Sequence, residues 1–410
     1  MRSNSIFSPR GCALTGLLLF SGAAVRAQMK VDSFDGAVTD AELQSFNDFV
    51  ATLEPGESNA GNEWAQGHSG EHTKAMGLVY LMAGQQATLD EMLRFCDAVL
   101  SERNDLADAP VGQHEVWTGG VDPVWPNNLD QSPVETGGEQ GDPVGHLASC
   151  AYLILKTDDL HDQEVTMGDP HHYGATYLER AKTYLEEADV AMSDHILKSL
   201  LDLSDNNRMY FAKDSPYMGG KPVPWNQQMM FNYAFQNLRA AHHLLADNST
   251  LEKTYESTMA ASLDWFFNGG GVRTATSDAG NPVYDWGYTI PKTSGEDSNH
   301  GALDVAGFSR AYIDGSYGLT EGMMEPFANT FVDVMTLSGG QWAGNVEGEN
   351  GDGHASPTDY VRGGYLFLAE FRPDAYDDMM SADLQVGKTT KSTDQFSRFL
   401  WVKHQLANAK

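Results

Sequence analysis

Cysteine is scarce in this 410-residue chain: Cys12, Cys96 and Cys150 are the whole complement. A small disulfide-knotted scaffold and a thiolate zinc cage are therefore excluded. Basic residues are nearly as thin, 26 against 57 acids, for a formal charge of −31. Nucleic acid and anionic membrane are poor partners for such a surface. An anionic substrate needs a local positive site that overcomes the mean field, with salt screening the remainder. No apolar run approaches the roughly 18 residues that span a bilayer. The chain also lacks a P-loop, a paired-glycine dinucleotide fingerprint, a Gly-x-Ser-x-Gly elbow and a His-Glu-x-x-His helix.

Residues 1–27 read as a secretory signal. Arg2 and Arg10 charge its start, Cys12 to Ala24 form a short apolar core, and Val25-Arg26-Ala27 suits cleavage. Its removal would leave an exported chain, 28–410, read as a single domain. Cys96 and Cys150 then remain, as one disulfide or as two buried thiols. Asn248-Ser249-Thr250 is a glycosylation sequon, meaningful in a eukaryotic source.

Nearly every periodic segment reads as helix. The expected helices are Asp40 to Leu53, Glu71 to Gln85, Leu89 to Ser101, Pro143 to Leu155, Tyr173 to Ala188, Val190 to Leu203, Pro224 to Leu245, Leu251 to Phe267, Ala302 to Ile313, Thr320 to Leu337, Thr358 to Phe371 and Thr393 to Leu406. Asn207 to Gly219 and Gly269 to Pro291 read as hairpins. Asn104 to Asp142 is rich in turn residues and too long for a passive connection, so it is functional or ordered against the core. Polar or aromatic clusters precede helices at His68 to His72, Val134 to His146, Pro224 to Gln228, Glu296 to His300 and Ser356 to Arg362. This rhythm predicts an all-α fold, an (α/α) toroid of about six to seven helical hairpins with short β-hairpin insertions. An irregular helical bundle is the alternative.

The densest chemistry lies in Gly295-Glu296-Asp297-Ser298-Asn299-His300-Gly301-Ala302-Leu303-Asp304, at the mouth of one helix. Capping explains the acids but not the imidazole. Among the histidines, only His68 and His72 have the four-residue spacing of a shared helix face, since adjacent pairs such as His171-His172 and His242-His243 diverge. No metal ligand set is assigned and no cofactor is required, although a structural cation would suit so acidic a chain. Loop aromatics beside Gly, Asn and Asp suggest a sugar cleft, because sugar faces stack on rings and hydroxyls seek amides and acids. The residues read as contacting substrate are Glu71, Trp117, Trp125, Trp225, Gln227, Gln228, Tyr284, Trp286, Glu296 and Asp297.

Two chemistries fit such a cleft. Hydrolysis needs one protonated and one ionised carboxyl, drawn from Glu71, Glu296, Asp297 and Asp304. β-Elimination on a uronic acid needs donors that neutralise the sugar carboxylate and a Tyr or His that takes the α-proton. Asn226, His300 and Arg362 are the donors, with Tyr288 the first and Tyr360 the second choice for base and acid.

Four stretches carry a resemblance: Trp225-Asn226-Gln227-Gln228, Glu296 to Asp304, Phe327-Ala328-Asn329-Thr330-Phe331 and Arg362-Gly363-Gly364-Tyr365-Leu366. Across residues 60–375 the chain resembles α/α-toroid polysaccharide lyases that cleave glucuronan and poly-mannuronate alginate. The resemblance implies that Asn226, His300 and Arg362 neutralise a uronate while a Tyr acts as base and acid. The segment Gly269 to Pro291 departs from that pattern. The resulting expectation is a secreted, monomeric lyase of an acidic polysaccharide, with a glycoside hydrolase or a non-catalytic carbohydrate-binding protein as alternatives.

Overall fold

The computed structural model describes residues 27–350 and 356–409; the signal read at the N-terminus lies outside these except for Ala27. Thirteen α-helices are present among the described residues: α1 Asp40–Val50, α2 Gly61–Ala65, α3 His68–Ala83, α4 Gln86–Ser101, α5 Gly141–Leu155, α6 Tyr177–Ala191, α7 Trp225–Leu245, α8 Ser249–Phe267, α9 Ser298–Asp314, α10 Glu321–Asn329, α11 Gly363–Leu366, α12 Tyr376–Ser381 and α13 Thr393–Asn408. Strands are few and short, and each sheet has two of them.

Helix contacts close a ring. Helix α3 packs on α5, α5 on α7, α7 on α9, α9 on α11, α11 on α13, and α13 returns to α3. Helices α4, α6, α8 and α10 lie outside this ring against its members. The result is an all-α (α/α) toroid of six inner helices, at the lower end of the expected six to seven. Composition explains which helices go inside. In α5 every residue except Tyr152 is buried, and α7 is buried along most of its length. An apolar face all round leaves no side for water, so such helices need cover from both layers. The outer α4 and α6 instead keep one polar face. Gly141 lets α5 approach α7, since a Cβ there would collide with the Met230 backbone.

Chain ends lock the ring. Met29–Lys30 pairs antiparallel with Thr389–Thr390. Lys403 of α13 donates to both carboxylate oxygens of Glu42 in α1 at 2.9 and 2.8 Å, and both residues are buried. Cys96 of α4 and Cys150 of α5 are joined as a disulfide, which settles the choice left open by their spacing. No helix among the described residues is long and apolar enough to cross a membrane.

Several expected helices end early. After α6 the chain continues as a π-helical turn, Met192–Leu200, and then enters a strand, Leu201–Asp202, paired with Tyr210–Phe211. Helix α10 carries Pro326, gives way to π-helical Thr330–Met335 and ends in a strand at Thr336–Leu337. The helix expected over Thr358 to Phe371 shrinks to α11 and a 3-10 turn, Phe367–Glu370. Gly363 and Gly364 weaken helix propensity at its start. Gly364 is placed by packing, because a Cβ there would strike the Ala302 backbone. The turn-rich stretch before α5 is ordered, with a bridge between Val116 and Val134.

Candidate active site

The inner helices run parallel, so their N-terminal turns meet at one end of the ring. Glu71 and Lys74 of α3, Asp142 of α5, Asn226 of α7, Asn299 and His300 of α9, and Asp394 of α13 line one cleft of about 410 Å³. Tyr360 and Arg362, just before α11, complete its rim. Converging N-termini carry unsatisfied N–H groups and partial positive charge. Lys74, His300, Arg310, Arg362 and Arg398 add side-chain cations against the acids Glu71, Asp142 and Asp394. In a chain of charge −31 the cleft thus carries more lining cations than acids, five against three.

His300 is built into the first turn of α9. Asp297 is the N-cap and accepts from the backbone N–H groups of Asn299 and His300 at 2.9 and 3.1 Å. Its other oxygen lies 2.5 Å from His300 Nδ1. That bond raises the imidazole's pKa above its ordinary value, against a weaker opposing effect of burial. Burial opposes ionisation of Asp297, but the bonds from His300 hold its carboxyl below the usual range. His300 itself lines the cleft. Tyr288 sits with its ring centroid 4.8 Å from that of His300. Burial, then the nearby Tyr217 and Glu296, push its phenol up.

The hairpin Val272–Thr276 with Pro282–Trp286 delivers Tyr288 and Glu296 to this place. The Trp225 N–H bonds the Tyr288 carbonyl at 3.1 Å, and the Glu296 N–H bonds the Trp286 carbonyl at 2.8 Å. Glu296 is only 2 % exposed and sits beneath His300, with Nδ1 at 3.8 Å. Burial, Asp304 and Asp297 push its carboxyl up to about 9. Asp304 is also buried and raised by burial, and it accepts from the Trp286 indole at 2.8 Å. The ligand atoms of Glu296, Asp297 and His300 lie within 4.8 Å of one another, a set that could hold a cation.

On the opposite rim, Arg362 donates to Asn299 Oδ1 at 2.5 Å and lies 5.4 Å over the Tyr360 ring. Asn226 is 4 % exposed, and its Oδ1 has no partner among the described residues. Glu71 is raised by burial and by Asp394.

The ring therefore brings Asn226, His300, Arg362, Tyr360 and Glu71 into one cleft, with Tyr288, Glu296 and Asp297 beside or beneath it. Other sequence-predicted contacts lie elsewhere. Trp125 and Trp225 are fully buried, and Trp286 is 1 % exposed. The Trp125 indole donates to the Val99 carbonyl at 2.9 Å, and Trp225 packs edge-on against Trp265 and Phe266. Trp117 packs with Val116, Val124 and Val134 and meets His195. Tyr284 packs against Phe267 and Phe327. Gln228 bridges the Val223 carbonyl and Ser262, both at 2.8 Å, while Gln227 donates to the Tyr217 hydroxyl at 2.6 Å. For Trp125 and Trp286 burial is favoured because the indole N–H has a partner inside, at Val99 and Asp304, whereas the Trp117 and Trp225 indole nitrogens have none among the described residues. The His68 and His72 rings stack, and His72 Nδ1 meets Thr393 Oγ1 at 2.7 Å.

Lys74, Asp142, Arg310, Asp394 and Arg398 also line the cleft and were not singled out from the sequence. Arg310 carried a readable signal, a cation inside the apolar run Ala306 to Ile313. No family model matches the chain, and no curated protein matches it. Among solved structures, the chain aligns with a glycosyl hydrolase family 88 protein from Bacteroides vulgatus at 13 % identity. That alignment covers 90 % of this chain and 99 % of the other, with a TM-score of 0.37.

Proposed function

We propose that the cleft cleaves a uronic-acid polysaccharide, glucuronan or mannuronate-rich alginate, by β-elimination, in an exported protein. The supporting observation is the meeting of Asn226, His300 and Arg362 with converging helix N-termini in so acidic a chain. These donors neutralise the sugar carboxylate, which makes the C5 proton removable. The C5–H bond breaks, its electrons form the C4–C5 double bond, and the C4–O bond breaks as the leaving oxygen takes a proton. Tyr288 is the base and then the acid. At rest it is a phenol, held so by burial. An adjacent His300 imidazolium favours its ionisation once substrate has displaced water. Tyr360 is the second choice, being 45 % exposed and placed under Arg362.

One observation favours hydrolysis as a second reading. Glu296 is held protonated while the neighbouring Asp297 is held ionised, a split suited to an acid and a base. Burial of Glu296 away from the cleft weighs against it.

The test incubates purified protein with glucuronan, polymannuronate and polyguluronate separately. Ultraviolet absorbance from the new double bond supports elimination and identifies the polymer. New reducing ends without that absorbance replace it with hydrolysis. Polymer binding without either product overturns both enzyme readings.

A further inference from the structure

A second cavity, of about 160 Å³, opens at the other end of the ring. Leu78 and Leu81 of α3, Leu153 of α5, Ile313 of α9 and Phe367 give it apolar walls. Its inner end is cationic. Lys74, Arg310 and Arg398 line it there, and the exposed Lys156 stands in its wall. Arg310 follows His300 by ten residues, so the two lie about 15 Å apart along α9.

Each of these four cations lies over an aromatic ring. Arg310 and Lys74 are 5.2 and 5.7 Å from the Tyr233 centroid, Lys156 is 5.6 Å from that of Tyr152, and Arg398 is 5.2 Å from that of Phe367. A ring face positions a cation without cancelling its charge. Two of the four are cancelled by acids, Lys74 by Asp142 at 2.8 Å and Arg398 by Asp394 at 2.5 Å. Arg310 and Lys156 have no ion pair among the described residues, and Arg310 feels Asp142 and Asp394 only at longer range. The acids in the wall are Asp394 and Asp314, and Asp314 accepts the Ser316 N–H at 3.1 Å. Burial works against the charge on Arg310, and a bound anion would offset that cost.

We propose that this cavity binds a small carboxylate with an apolar body, its carboxylate on Arg310 and its body between the leucines and Phe367. The size fits, since an apolar cavity of about 150 Å³ accommodates benzene. Lys156 steers the anion to the mouth. The cavity meets the cleft at Lys74, Arg310, Asp394 and Arg398, which line both, but its apolar walls lie beyond them, and the proposal does not depend on the reaction proposed for the cleft.

Benzoate is the probe, titrated calorimetrically into the full chain, with benzamide as its neutral counterpart. Benzoate binds, and benzamide binds at least tenfold more weakly. Arg310→Met abolishes benzoate binding. Lys156→Gln, a change at an exposed position, weakens it and flattens its salt dependence. Leu81→Trp fills the cavity and blocks it, which keeps the test decisive should Arg310→Met fail to fold. Absence of heat at millimolar benzoate, equal affinity for benzamide, or unchanged binding in Leu81→Trp overturns the proposal. Loss of binding in Arg362→Met with Leu81→Trp unaffected places the anion in the cleft and also overturns it.

Discussion

Asp297 holds His300 by two different atoms: one carboxylate oxygen caps the backbone N–H and the other lies 2.5 Å from Nδ1. Helix start and imidazole orientation are thus one device. Asn at an N-cap replaces Asp almost without cost, so Asp297→Asn keeps the fold and removes only the charge. The His300 titration, followed by NMR of its imidazole, should move down toward 6.5. Stability should change at both ends of the pH scale. The contribution of Asp297, whose folded pKa is depressed, is complete above its ordinary 3.8 and is lost as pH falls through the folded value. That of His300, whose folded pKa is raised, is complete below its ordinary 6.5 and is lost as pH rises through the folded value. Urea unfolding across pH should show both losses in the parent chain and smaller ones in Asp297→Asn, where the slope due to Glu296 remains. An unmoved imidazole titration would show that the pairing does not set the charge of His300.

Removing donors from the cleft should act on rate and leave the fold alone. His300→Ala, Asn226→Ala and Arg362→Ala should each lower kcat by roughly 10²- to 10³-fold, the range for a lost oxyanion donor. Melting temperatures of Asn226→Ala and Arg362→Ala should stay close to the parent, because Arg362 is half-exposed and the Asn226 Oδ1 has no partner among the described residues, while His300→Ala should also lose the stability of its pairing with Asp297. Tyr288→Phe should abolish turnover while Tyr360→Phe keeps it; the reverse result exchanges their roles. Full activity in both His300→Ala and Asn226→Ala would falsify the assignment of this cleft.

How much of this was legible in the sequence follows from where each residue sits. Apolar periodicity located α4, α5, α7, α8 and α13 within a few residues, because burial on a ring imposes the pattern directly. The cluster opening α9 was visible because its capping acid and its imidazole share a few consecutive positions. Lys74, Asp142, Arg310, Asp394 and Arg398 come from four helices and meet only when the ring closes. Nothing local announces that meeting. The loop tryptophans misled for a different reason. Trp125 and Trp286 stand beside polar and turn residues, yet each indole N–H has a partner inside, at Val99 and Asp304. With the N–H satisfied, the large apolar surface favours burial.

Glu296 offers a pH signature that also separates the two chemistries. Its carboxyl is pushed up to about 9, so the folded chain keeps a proton that the unfolded chain releases near 4.5. The unfolded state then binds fewer protons, and stability should fall as pH rises from about 4.5 to about 9. Glu296→Gln imitates the neutral carboxyl, so it should flatten that slope in urea titrations. Elimination leaves Glu296 out of the chemistry, and Glu296→Gln should keep most activity. Hydrolysis makes it the acid, and the same variant should then lose roughly 10²- to 10⁴-fold.

The ring's closure is tested at Lys403 and Glu42. Both are buried, 1 and 0 % exposed, and Glu42 also accepts the N–H groups of Asp32 and Thr39 at 3.1 and 3.0 Å. Lys403→Met leaves that carboxylate without its cation. Breaking a buried pair in this way costs about 3–5 kcal/mol, because the remaining charge stays desolvated. The loss should appear as a lower urea midpoint, measured by circular dichroism. It should reach the cleft as well, since α13 carries Asp394 and Arg398 into it while α1 holds the other end of the pair. Glu42→Gln in the Lys403→Met background should restore part of the stability, because a neutral amide can keep accepting from the Thr39 N–H. An unchanged urea midpoint in Lys403→Met would show that α13 is fixed by its contacts with α3 and α11 alone, and no recovery in the double variant would show that the loss does not come from the unpaired Glu42 charge.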